Sequence, residues 1–237
     1  MANTISVSGW PRSSDGFAKK LLRNNGLSIV MLLLFSVSLV GQAMTGLASY
    51  NEEALEHGRR ALRLAQYIGS GDFIEAVFEN WESEFLQMAV FVVLTKVLRQ
   101  RGSSESKSVD DSEPVDEDPN EARDRANVPW PVRRGGWALA VYERSLSLTL
   151  FSLFLASFGL HAWGGMRQYN EEQLRHAGES VSLQQFIGTS DFWQQSFQNW
   201  QSEFLSISVI VLLTIFLRER GSSQSKAVAA PHAETGK

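Results

Sequence analysis

Apolar residues in this chain are bunched into four runs, and the charges lie between the bunches. Leu27–Ser49 and Leu146–Gly165 are each long enough to cross a hydrocarbon core of about 30 Å at about 1.5 Å per helical residue. Phe85–Leu98 and Phe204–Leu217 hold fourteen residues each, roughly 21 Å of helix and too short to span alone. Drawing in the preceding turns, Asn80–Glu84 and Asn199–Glu203, lengthens them to about 80–98 and 199–217. Trp81 and Trp200 then sit at interface depth, where indole is favoured. The pattern predicts an all-α integral membrane protein with spans near 27–49, 80–98, 146–165 and 199–217. The first run begins well inside the chain, exceeds a signal-peptide core and lacks a small-residue cleavage site, so it reads as an anchor.

Internal repetition is the strongest signal in the sequence. Tyr50–Lys107 aligns with Tyr169–Lys226 without a gap at a constant offset of 119, with 31 of 58 positions identical. YNEE recurs at 50 and 169, IGSGDF at 68 as IGTSDF at 187, and FENWESEFL at 78 as FQNWQSEFL at 197. RQRGSSESK at 99 returns as RERGSSQSK at 218. The upstream spans match only in character. The reading is a tandem duplication of a transmembrane hairpin, a parallel repeat rather than the inverted repeat of many transporters. The first hairpin covers 17–107 and the second 137–226. Residues 108–136 form an acidic, Pro-containing linker expected to be disordered, and 1–16 and 227–237 read as disordered tails.

Lysine and arginine placement sets the orientation. The tails and the linker side carry sixteen of them, with Lys96 set aside, against five in the loops joining paired spans. The positive-inside rule then places both termini in the cytoplasm of a multi-pass inner or plasma membrane protein. The net charge of −4 excludes a nucleic-acid binder that relies on a strongly basic surface. Zero cysteines exclude disulfides, thiolate metal sites and a cysteine nucleophile. No phosphate-binding glycine loop, nucleophile elbow or H-E-x-x-H motif occurs, and no cofactor is expected.

Each outer loop is expected to open with a short amphipathic helix capped by Asn51 or Asn170. Glu53 and His57, like Glu172 and His176, are four apart and share a helix face. They are candidate polar pairs, with a surface ion pair as the plainer reading. Asp72 and Asp191 begin D-x-x-E and D-x-x-Q, the reciprocal pattern that caps a helix start near Phe73 and its copy.

Within the spans, Asn80, Glu84, Gln87 and Thr95 fall on one face at 100° per residue. Their copies are Asn199, Glu203, Ser206 and Thr214. Gln42 and His161 lie at a depth similar to Glu84 and Glu203, so these six polar residues (Glu84, Glu203, His161, Gln42, Asn80, Asn199) form a candidate intramembrane cluster. A charge at that depth is costly and should face the bundle or a water-filled cavity. Gly41, Gly46, Gly159, Gly164 and Gly165 would let helices approach closely. The cluster is either a proton, cation or solute site or interhelical glue. No His-x-x-x-His or Glu-x-x-His spacing in the spans points to a metal.

NGLS at the first-span start, the YNEExLxxH loops, NWESEF and NWQSEF, and Gly102–Lys107 together resemble a bacterial family of small membrane proteins, domain of unknown function 6766. The likeness covers nearly the whole chain outside the tails and linker, although Arg144–Ser147 reads RSLS where the first copy has NGLS. It implies a four-span membrane protein and no particular activity. The expectation is a non-enzymatic scaffold, sensor or partner-binding protein in the bilayer. Its partners would be lipid and another membrane protein or a second copy, with no nucleic acid. The alternatives are ion, proton or small-solute translocation through the bundle and an intramembrane redox or metal-binding subunit around His161.

Overall fold

The computed structural model describes residues 16–236 and is all-α, with no strand among them. Four long helices dominate: α1 (Phe17–Glu56), α3 (Gly71–Val97), α6 (Ser145–Arg175) and α8 (Ser190–Phe216). Short ones lie between them: α2 (Leu64–Ile68), α4 (Trp130–Arg134), α5 (Gly136–Tyr142) and α7 (Leu183–Ile187). Three helices, α1, α6 and α8, are long and apolar enough to cross a membrane. α3 equals α8 at 27 residues, about 40 Å, but Glu82, Glu84 and Lys96 interrupt its apolar stretch and keep it out of that group. The two fourteen-residue runs are therefore the C-terminal parts of longer helices.

Those helices start slightly earlier than expected. The caps are Ser70, whose Oγ accepts from Phe73 N at 3.2 Å, and Thr189, whose Oγ1 accepts from Phe192 N at 3.3 Å. Asp72 and Asp191 fall in the first turns instead, where a carboxylate suits the positive end of the helix dipole. Asn51 and Asn170 are not caps either, because α1 and α6 run straight through them. Each uses its amide as a surrogate peptide for a loop. Asn51 Oδ1 accepts from Leu62 N at 2.7 Å and its Nδ2 donates to Leu62 O at 3.0 Å. Asn170 does the same with Val181, at 2.7 and 2.9 Å.

Two compact units divide the chain at Ile68 and Gly69, inside the segment expected to form the first hairpin. In unit 1, Tyr67 of α2 is buried against α1, its ring 5.7 Å from that of Tyr50 and seated over Gly46. In unit 2, Phe186 of α7 is buried against α6, 5.8 Å from Tyr169 and seated over Gly165. These residues are 119 apart pair by pair.

Unit 2 is built on α3, which packs against α6 and α8. The α3–α6 crossing requires glycine on both sides. A Cβ on Gly71 would sit 2.5 Å from Gln168 N, and one on Gly164 would sit 2.6 Å from Glu75 N. Both obstacles are backbone, which cannot swing aside. Of the other small residues singled out in the spans, Gly41 and Gly159 face open space. The core beside this crossing is Ala162, Phe186 and Phe192, flanked by Phe158, Met166 and Tyr169.

The repeated R-x-R-G-S-S-x-S-K segments stop α3 and α8. Arg99 Nη1 donates to the carbonyls of Lys96 and Leu98, and Arg218 Nη1 to those of Ile215 and Leu217. A guanidinium there satisfies carbonyls that a helix end leaves without partners. Gly102 and Gly221 follow at φ +85° and +86°, a turn that side chains resist. Ser106 Oγ and Ser225 Oγ then accept from Gln100 N and Glu219 N at 2.8 and 3.0 Å.

The linker is more ordered than its composition suggests. It contains a 3-10 turn at Pro114–Asp116, the helix α4, and ion pairs from Lys107 to Asp116 and from Arg125 to Glu117. The hydrogen bond from Lys107 holds the Asp116 carboxyl below the usual aspartate range. The tail also folds back: Lys226 Nζ donates to the carbonyls of Pro231, His232 and Glu234 at 3.3, 3.1 and 2.6 Å. Burial pushes this ammonium below the usual lysine range. Opposite charges and one carbonyl-seeking ammonium organise segments that lack the apolar residues for a core. Residues 1–15 of the expected N-terminal tail, and Lys237, lie outside the described residues.

Candidate functional site

Along α3, Asp72, Glu75, Glu79 and Glu82 follow at spacings of three, four and three, which puts them on one helical face. The outer three are half-buried and Glu82 is completely buried. Across from them α6 presents His161, also with no exposed surface. His161 Nδ1 lies 2.6 Å from Glu82 Oε2, a charge-assisted contact when the ring is protonated.

α8 closes the site with neutral groups. Trp200 Nε1 donates to Glu82 Oε1 at 2.9 Å, so both oxygens of that carboxylate are engaged. Gln195 Oε1 lies 3.3 Å from His161 Nε2, and Gln195 Nε2 donates to Glu75 Oε1 at 2.8 Å. The Phe192 ring covers the imidazole, with centroids 4.9 Å apart. A hydrogen-bonded chain therefore runs Glu75, Gln195, His161, Glu82, Trp200, and it ties together three helices. Taking away one member of such a buried ion pair typically costs about 3–5 kcal/mol, because the other charge is left unpaired.

Of the six residues proposed from sequence for an intramembrane cluster, only His161 belongs to this network. Glu84 is exposed and Glu203 half-buried. Their charges are close enough to interact, and Gln87 Nε2 reaches Glu203 O at 3.5 Å, but they form a separate α3–α8 contact. Asn80 and Asn199 each bond back to their own helix, to Ala76 O at 2.8 Å and Gln195 O at 3.1 Å. Gln42 lies on α1 in unit 1 and is half-buried. Trp200, expected at interface depth, gives its N–H to Glu82.

The outer Glu–His pairs are rearranged as well. His57 Nδ1 meets the main-chain oxygen of Glu53 at 2.9 Å, while the Glu53 carboxylate takes Arg59 at 2.9 Å. His176 N donates to Glu172 O at 3.2 Å, and the Glu172 carboxylate accepts from Gln168. In both cases the helix ends at the histidine: the His57 ring turns to the Glu53 carbonyl, and at His176 the backbone N–H meets the carbonyls of Glu172 and Gln173.

A signal for Glu75 and Glu82 was present in the repeat alignment. At the positions 119 residues later stand Gln194, Gln198 and Gln201 in place of Glu75, Glu79 and Glu82, and His161 stands 119 residues after Gln42. Four neutral amides mirror four ionisable groups. At these four pairs of positions, only the α3 acids and the α6 histidine are ionisable. An open groove at the C-terminal end of α3, lined in part by Lys96, Lys107, Asp116, Glu143 and Arg144, also carries charge. Four of these charges pair with each other, Lys107 with Asp116 and Arg144 with Glu143 at 2.6 Å.

A family sequence profile matches residues 18–237. The chain belongs to the DUF6766 family, a domain of unknown function. No curated protein and no solved structure gives a match. In unit 2 of this DUF6766 chain, the buried histidine meets one carboxylate directly and a second through Gln195.

Proposed function

We propose that this DUF6766 chain is a non-enzymatic membrane scaffold and sensor, built by tandem duplication of a hairpin. It would span the inner or plasma membrane four times with both termini in the cytoplasm. The observation that carries the reading is the His161–Glu82 pair. Both side chains have zero exposure, and every polar atom of the pair is engaged by α3, α6 or α8. A conduit needs polar groups that meet water; these meet each other and the Phe192 ring, as a lock between helices does.

Duplication is supported by the matched clamps, Asn51 to Leu62 and Asn170 to Val181, and by the matched helix stops at Arg99 and Arg218. Four spans follow if α3, as long as α8, crosses beside it with its carboxylates turned to α6 and away from lipid. The outer helices and the acidic linker would then be the surfaces offered to a partner membrane protein or a second copy.

Two measurements test this. Reporter fusions near residues 60 and 180 should map opposite to both chain ends, and fusions on the same side as the ends refute the topology. Reconstituted protein should pass neither protons, common cations nor small metabolites. A flux abolished by Glu84→Gln with Glu203→Gln would replace scaffolding with translocation.

A further inference from the structure

We infer that the α3–α6–α8 network is a proton-binding site that reads acidity on the side where α3 begins, confined to one half of the duplicated chain. The inference rests on the sensor reading above and names what is sensed. Its geometry is a ladder: Asp72, Glu75, Glu79 and Glu82 descend one face of α3 over about 15 Å, from half-buried rungs to the enclosed His161. Glu79 is near enough to feel the charges of both His161 and Glu82, and Glu75 those of His161, Glu79 and Asp72.

The charge count makes the site responsive. Facing the network, α3 supplies Asp72, Glu75, Glu79 and Glu82, and α6 supplies His161. α6 also carries Arg167 farther out, where it donates to Gly69 O at 2.8 Å and stacks on Trp163. α7 has no ionisable residue, and α8 has none from Phe192 to Ser202, with Asp191 in its first turn and Glu203 beyond. One imidazolium can balance one carboxylate. Each further proton lost from Glu75 or Glu79 adds negative charge that nothing on α8 offsets, in a setting where like charges repel strongly.

A second, independent feature points the same way. Ser196 lies next to Gln195 and one turn from both Phe192 and Trp200, the three α8 residues that meet His161 or Glu82. It is 1% exposed, and its hydroxyl oxygen has no hydrogen-bond partner. A spare donor at that place is what a newly ionised carboxylate would recruit. The second copy's Gln194, Gln198 and Gln201 keep the size of the glutamates and remove the titration.

Gains and losses of protons then change how tightly α3 is held. Protonated carboxyls leave the helices clamped, and alkalinisation charges the ladder and loosens α3 from α6 and α8. The test uses the full chain in nanodiscs, with the thermal midpoint followed from acid to alkaline pH. The wild type should lose stability as pH rises. Glu75→Gln with Glu79→Gln, which installs the second copy's residues, should remove at least half of that fall. Asp191→Asn, outside the ladder, should leave it intact.

Should the double variant fold poorly, Glu79→Gln alone serves, because the Glu79 carboxylate makes no bond that holds the network. Histidine-labelled NMR gives a second readout: a signal assigned to His161 by its loss in His161→Gln should change its titration midpoint in Glu79→Gln. An unchanged pH profile together with an unmoved His161 signal overturns the inference and leaves the scaffold reading standing. Flux through reconstituted protein would overturn the scaffold reading without touching the titration result.

Discussion

Two glycines of one helix, only one of them at the α3–α6 crossing, give a sharp test of how unit 2 is held together. Gly159 and Gly164 both lie inside α6, so replacing either by alanine should help the helix itself by about 1 kcal/mol. At Gly159 nothing lies within 4 Å of the new methyl, and the gain should be kept. At Gly164 the methyl would sit 2.6 Å from Glu75 N, 2.8 Å from Ile74 Cγ2 and 3.1 Å from Glu75 Cα. Unstrained contact needs about 3.5 Å, so α3 and α6 would have to part by roughly 0.9 Å. Overpacking of this size costs about 1–3 kcal/mol. The same movement stretches the Glu82–His161 contact, which lies on the same pair of helices. Gly164→Ala should therefore unfold about 1–3 kcal/mol more easily than Gly159→Ala, because the propensity gain is common to both and only the clash differs. Denaturant titration in detergent micelles, read by circular dichroism, measures the difference directly. Equal stability of the two variants would mean that α3 and α6 do not cross at Gly164, and the site built on that crossing would fall with it.

Other consequences follow from the same contacts. Asn51→Ala and Asn170→Ala each remove a paired donor and acceptor, so each should destabilise its loop by about 1–2 kcal/mol, read as faster hydrogen exchange at Leu62 N and Val181 N. Phe186→Ala empties a buried ring site and should cost about 3–5 kcal/mol in unit 2, measured by thermal denaturation. Because the Asp116 carboxyl is held below its ordinary value by Lys107, the linker turn it closes is fully formed above the ordinary aspartate range. That order should be lost only as pH falls through the lowered value. Proteolysis between residues 108 and 116 should accelerate there, and an equal acceleration in Asp116→Asn would refute the link.

Sequence alone determined the long apolar helices, the helical class and the 119-residue internal likeness, because bunched apolar runs and repeated motifs are properties of the chain in one dimension. It also nominated His161, since a lone imidazole among apolar residues stands out without a partner in view. Which carboxylate meets that imidazole was decided by tertiary structure. Glu84 and Glu82 are two positions apart on α3 and therefore point in very different directions. The choice between them depends on the azimuth at which α6 crosses, fixed by Gly71 and Gly164. Trp200 and Gln195 were hidden for the same reason: their polar groups acquire a role only from the three-helix packing that brings α8 against α3 and α6. Caps and loop clamps shifted by a residue or two for a local reason, since Asn51 and Asn170 could serve equally as helix starts or as braces for a returning loop. Only the returning loop, at a separation of eleven residues, selected between them.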